Sequence, residues 1–260
     1  PTMPQRRRVR TLRLSIVRRP SGRSGGAHGL SEKPTTLART STRPDGPGAS
    51  PLVLERASLP APEGLVREGL QFVAAGGMRI PAILQYPSAH RIRPAILVIP
   101  GHVPREHSGL RQLTDAPDSY QRAAATALAQ RGFVTLTLEL RGFGLLGLRQ
   151  GAEHNAVAHN ALLHGSFYKA LVIDDASRAL GVLRALPQVD RKRIGVTGAS
   201  LGGELAVNLA ALDESIAATA ASGYGGNAGL FGGLEGPDTV MVHYCHIIPG
   251  AWSFLRREDM

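Results

Sequence analysis

Cysteine is almost absent: Cys245 stands alone among 260 residues, which excludes an intrachain disulfide and a cysteine-rich zinc site. Long apolar runs are missing too. No stretch approaches the ~18 consecutive apolar residues that span a bilayer, so no transmembrane helix and no membrane partner are expected. With no signal peptide in view, the expected compartment is the cytoplasm by default. A P-loop and an H-E-x-x-H pattern are also lacking, and the glycine-rich Gly223–Gly229 stretch follows a strand without a clear helix after it. His154, His159 and His164 recur at intervals of five, a spacing that keeps neither a helical nor a strand face, so they do not read as a metal set. No cofactor and no metal are expected.

Acidic residues are scarce at the amino end, and this locates the charge. Residues 1–50 hold eleven Lys/Arg against Glu32 and Asp45, a net +9, while the other 210 residues hold 19 basic and 18 acidic side chains. The net charge of +10 thus sits in a tail and not on a folded face that would track phosphates, so no nucleic-acid partner is expected. That tail is rich in Arg, Ser, Thr, Gly and Pro and poor in large apolar residues, and reads as disordered. Its composition is open to three readings: an incidental extension, a targeting segment, or an arm for anionic polymers. Arg18-Arg19 lacks the apolar stretch that a twin-arginine signal needs.

From residue 51 apolar runs alternate with turn residues, and 51–260 reads as one domain. Residues 70–75 and 79–86 flank Gly76-Gly77 as a hairpin. Residues 95–101 form a β-branched run of the kind buried on both sheet faces. Residues 120–132 have helical spacing closed by Gly132, and 133–140 read as the next strand. A helix over 171–186, with Asp174 and Asp175 placed to complement its dipole, precedes a strand at 194–200. A helix at 201–212 and a sixth strand at 215–223 complete the pattern. Such alternation implies an α/β fold, a mainly parallel sheet with helices on both faces.

The stretch Thr197–Leu205, TGASLGGEL, fits G-x-S-x-G, a strand-to-helix turn that exposes a nucleophilic serine. Gly22–Gly26 fits the same pattern around Ser24, but inside the tail. Ser200 instead ends a strand and starts a helix, whose free N–H groups would face an oxyanion bound there. The alternative is a glycine-eased junction.

Together with VIPGH (98–102), the segment 120–144 ending in RGFG, the segment 193–224 and HYCHIIPG (243–250), this elbow resembles the α/β-hydrolase superfamily. More narrowly, it resembles the dienelactone-hydrolase-like and acetyl-xylan-esterase-like branch, over residues 68–260. The resemblance implies Ser200 as nucleophile and the backbone N–H groups of His102 and Leu201 as the oxyanion hole. It implies a structural anchor or a substrate clamp at Arg141, and it sets Glu139 where the branch commonly has aspartate. Its acid and histidine follow the nucleophile in chain order, which leaves Asp238 with His243 or His246 as a triad within this chain. Counting elements gives the other reading, a fold truncated after about six strands, apparently lacking its C-terminal part, with acid and base outside the chain and an exposed sheet edge. The expected activity is a serine carboxylic ester hydrolase, acetyl esterase included, on a small-molecule or carbohydrate ester. The competing reading is a non-catalytic hydrolase-fold binding protein.

Overall fold

The computed structural model describes residues 15–17, 53–104, 107–150, 153–223, 244–246 and 248–249. Among the described residues the sheet has eight strands: β1 (Ser15–Val17), β2 (Val53–Ser58), β3 (Leu65–Val73), β4 (Arg79–Pro87), β5 (Arg93–Ile99), β6 (Val134–Leu138), β7 (Val189–Ala199) and β8 (Ala218–Ser222). They lie in the order β1-β8-β7-β5-β6-β4-β3-β2. The helices are α1 (Gly109–Thr114), α2 (Ala124–Gln130), α3 (Gly144–Gln150), α4 (His154–Leu163), α5 (Tyr168–Ala185) and α6 (Leu201–Leu212).

The sheet is mixed, in two halves with different causes. β6, β5, β7 and β8 pair in parallel, because the chain returns to the same end of the sheet through helical crossovers. β2, β3, β4 and β6 pair antiparallel. The β3–β4 turn at Ala75–Gly77 has Gly76 and Gly77 at φ 72° and 75°, the left-handed region that glycine enters without Cβ strain. Its register sets Phe72 opposite Ile80 and Leu70 opposite Ala82, all four buried.

β5 shows how the core divides. Its Ala95, Leu97 and Ile99 enter the large cluster with Val172, Ala176 and Leu180 of α5 and Leu201, Leu205 and Leu209 of α6. The alternate residues Ile96 and Val98 pack with Leu113 of α1 and Ala124, Ala125 and Leu128 of α2. One strand therefore feeds two cores, and helices cover both faces as the apolar pattern implied. Arg67, buried on β3, fastens the α1–α2 layer by donating to Gln85 Oε1 (3.0 Å) and Asp115 Oδ1 (2.7 Å).

Two strands go beyond the six expected. β2 carries VLERAS, exposed at every position, so it lacks the apolar alternation by which a strand is read. β1 lies inside the segment read as disordered and pairs antiparallel with β8, Ser15 opposite Ala221 and Val17 opposite Thr219. It covers the edge expected to stand open. The rest of residues 1–50, with Ser24, lies outside the described residues. So do residues 224–243.

Candidate active site

β7 delivers the chain to Ser200 and α6 carries it away, and the turn between them is tight for a reason visible in the glycines. Ser200 sits at φ 55°, ψ −123°, a conformation that an L-residue keeps only when its surroundings hold it. Its N–H donates to Ser222 O (2.8 Å) at the end of β8, and its carbonyl accepts from Glu204 N–H (3.0 Å) in the first turn of α6. A Cβ on Gly202 would lie 2.1 Å from Ile99 O, and one on Gly198 would lie 2.4 Å from the Gly202 backbone. Side chains at either place would force the ends of β5 and β7 apart from the head of α6.

The same contact brings the loop after β5 to the serine. A Cβ on Gly101 would meet Ala199 O at 2.3 Å and Ser200 Cβ at 3.2 Å, so the Gly101–His102 backbone lies along the elbow. Two groups pin it there. Gly101 N–H donates to Gln121 Oε1 (2.9 Å), and the Tyr120 hydroxyl donates to His102 O (2.7 Å). Burial pushes the Tyr120 phenol up to about 12, so it remains a donor at neutral pH. Sequence periodicity had placed both residues in a helix over 120–132. The helix proper begins at Ala124, because Arg122 and Ala123 turn through positive φ (53° and 46°). That turn aims Tyr120 and Gln121 at the β5 loop, and no apolar repeat announces it.

Leu201 heads α6 with its side chain fully buried, and His102 follows Gly101. Of the acids and histidines considered for a triad, Asp238 and His243 lie outside the described residues. His246, on a short turn at Tyr244–His246, meets Glu204 Oε2 through Nδ1 at 2.5 Å. Glu204 also pairs with Lys169 of α5, and all but a few per cent of both side chains is shielded from solvent. Burial alone would raise the Glu204 carboxyl, but the hydrogen bond from His246 and the charge of Lys169 outweigh it and hold the group below its ordinary range.

The His102 ring points into a cluster that the sequence did not announce. Its Nε2 lies 3.2 Å from Cys245 Sγ. Its centroid is 5.5 Å from Phe143, 5.1 Å from His154 and 5.3 Å from His246, while Phe143 and His154 stack at 4.5 Å. His159 is exposed on α4 and His164 is exposed just past its end, so the three evenly spaced histidines do not converge.

Two further residues resolve into scaffold. Arg141 forms a bidentate pair with Asp175, Nε to Oδ2 at 2.6 Å and a terminal nitrogen to Oδ1 at 2.7 Å, and its carbonyl accepts from Tyr168 (2.8 Å). That pairing is the one a structural anchor would make. Because α5 starts at Tyr168 and not at Leu171, Asp175 falls in the second turn, where its partner is Arg141 instead of the helix terminus. Glu139 is fully buried, accepting from Ser108 Oγ (2.5 Å) and Gly109 N–H (3.0 Å) at the head of α1. A cavity of about 520 Å³ near Tyr86, Arg91 and Pro187 opens at the amino end of β5 and contributes no residue to the elbow.

A parallel centre with helices on both faces, and an elbow at the carboxyl end of a central strand, define an α/β-hydrolase fold. Residues 54–224 match the acetyl xylan esterase (AXE1) family model, and the chain belongs to that family. The protein named "Putative hydrolase YtaP" from Bacillus subtilis is 27% identical over 174 residues, covering 66% of this chain and 57% of its own length. Among solved structures, a "putative acetyl xylan esterase" from Bacteroides fragilis superposes with a TM-score of 0.58 at 20% identity, covering 70% of this chain and 49% of that one. Acetyl xylan esterase 1 from Thermoanaerobacterium gives 0.51 at 19%, covering 70% and 54%. The chain thus spans about half the length of these relatives. Among the described residues, no helix is long and apolar enough to cross a membrane.

Proposed function

We propose that this chain carries the nucleophile and oxyanion half of a serine esterase that cleaves carboxylic esters, acetylated carbohydrate or a small ester, through an acyl-enzyme. Ser200 Oγ attacks the ester carbonyl, and charge develops on the carbonyl oxygen. The N–H groups of His102 and Leu201 receive that oxygen, an arrangement in which loss of one donor costs about 100- to 1000-fold in rate. The observation that carries this reading is the strained turn at Ser200 with the Gly101–His102 backbone laid against it. A serine hydroxyl also needs a base and an acid that orients the base. Glu204 and His246 are bound to each other, with Glu204 also paired to Lys169. We assign the base and acid to sequence outside these 260 residues; the relatives' greater length supports this.

A fluorophosphonate probe tests both parts. The longer protein, containing the remaining family elements, is expected to be labelled at Ser200, and its Ser200→Ala variant is not. The 260-residue chain is expected to stay unlabelled. Labelling of this chain at Ser200 would overturn the assignment of base and acid, and absence of label in the longer protein would remove the nucleophile assignment.

A further inference from the structure

We propose that His102, Cys245 and His246 form a binding site for a transition-metal dication of the zinc type, with Glu204 as the carboxylate that orients His246. The inference is independent of the reaction assigned to Ser200. Each of the three residues offers a ligand atom, and those atoms lie within 4.8 Å of one another. Zinc bonds of ~2.0–2.3 Å in tetrahedral geometry set neighbouring ligand atoms about 3.3–3.8 Å apart. His102 Nε2 and Cys245 Sγ, at 3.2 Å, already stand near that spacing. Side-chain adjustment of about 1 Å closes the rest.

The chemistry of the set selects the ion. Two imidazoles and one thiolate are borderline-soft donors, suited to Zn²⁺ or Co²⁺ and poorly suited to Ca²⁺ or Mg²⁺, which take oxygen. A carboxylate on the far nitrogen of a ligating histidine is the usual outer support of such sites. Here Glu204 Oε2 meets His246 Nδ1 at 2.5 Å, so Nε2 is the nitrogen that would take a metal, and Lys169 pairs with Glu204. The ligands come from sequence positions 143 apart, the loop after β5 and the turn at Tyr244–His246. An ion would therefore clip that turn to the loop after β5, which lies along the elbow. Three protein ligands leave one position for water or another small donor.

Binding has a balanced proton cost. Cys245 is fully buried, and an ordinary thiol is protonated at neutral pH, so a metal-free site holds S–H. A coordinated thiol is deprotonated outright. Formation of the metal–sulfur bond thus breaks the S–H bond and releases one proton to solvent, without change of oxidation state.

The test uses the 260-residue chain after chelator treatment, with Zn²⁺ titrated by calorimetry and Co²⁺ as the optical probe. One equivalent is expected to bind, with a cobalt–thiolate charge-transfer band and a buffer-dependent heat that reports one proton released. Cys245→Ser is expected to abolish the band and weaken Zn²⁺ binding by ~100-fold or more, as are His102→Ala and His246→Ala in affinity. Glu204→Gln keeps stoichiometry and band but weakens binding by about 10- to 100-fold. His164→Ala, just past the end of α4 and exposed, leaves binding unchanged. A wild-type chain with no thiolate band, or an affinity that Cys245→Ser leaves intact, would overturn the proposal; the band is read on the unmutated protein, so misfolding of a variant cannot imitate that result.

Discussion

The elbow and the imidazole–thiol cluster stand side by side, joined by the peptide between Gly101 and His102, yet they are built in opposite ways. The elbow is a backbone object. Glycines at 101, 198 and 202 remove side chains so that β5, β7 and α6 touch main chain to main chain, and the strained φ of Ser200 results. The cluster is a side-chain object in which His102, Glu204, Cys245 and His246, with Lys169 behind them, hold one another by hydrogen bonds and charge. A backbone object fails by steric exclusion at any pH. A charged side-chain object fails by titration, or by loss of one partner.

That contrast can be broken by mutation, and the largest effect is expected at the elbow. Gly202→Ala places a Cβ about 2 Å from a backbone oxygen that cannot move without opening the sheet, and it should cost roughly 4 kcal/mol. Denaturant unfolding should show this loss as a lower midpoint that is insensitive to pH. The contrast fails if Gly202→Ala unfolds at the wild-type midpoint.

In the cluster, Glu204→Gln strands a buried Lys169 and should cost about 3 kcal/mol at neutral pH. The folded Glu204 carboxyl lies below its unfolded value. Its contribution is therefore fully present above the unfolded value of about 4.3 and is lost as pH falls through the folded one. The gap between wild type and variant should narrow in acid, measured as the difference in unfolding midpoint at several pH values. A gap that stays constant down to pH ~2 would show that the carboxylate charge is not what holds the cluster.

The smallest effect has the opposite sign. Ser200→Gly removes the Cβ from a conformation that glycine adopts freely, and should raise stability by about 1 kcal/mol through relief of backbone strain. Thermal unfolding should place this variant above wild type. A fall in melting temperature would mean that the turn stores no strain.

The same distinction explains how far the amino-acid order could be read. The elbow lies within nine consecutive residues, so its strand, glycines and helix are local signals that reinforce one another, and α6 falls on 201–212 as expected. The cluster has no local signature: His102 and Cys245 meet across 143 positions, and Glu204 is one of seven acids that follow Ser200. Cys245 read as incapable of a cysteine-rich site, which is correct in itself, and a mixed Cys/His set becomes visible only once the fold brings the imidazoles to it. The missed helices have a physical cause. α4 buries only His154, Ala158 and Ala161, too little large apolar surface to make a stripe. Tyr120 and Gln121 escaped for a different reason, since a left-handed turn removed them from the helix that their neighbours form.

Where β1 sits also governs the order in which the molecule can be assembled. Ser15–Val17 leave the ribosome roughly 200 residues ahead of their partners Thr219–Ala221, so this pairing can form only once β8 has been made. Until then no β8 edge exists to receive β1, while β5, β6 and β7 can already pair with one another. Among the described strand pairs, β1 with β8 joins the segments farthest apart in sequence, so this sheet edge closes a loop of roughly 200 residues.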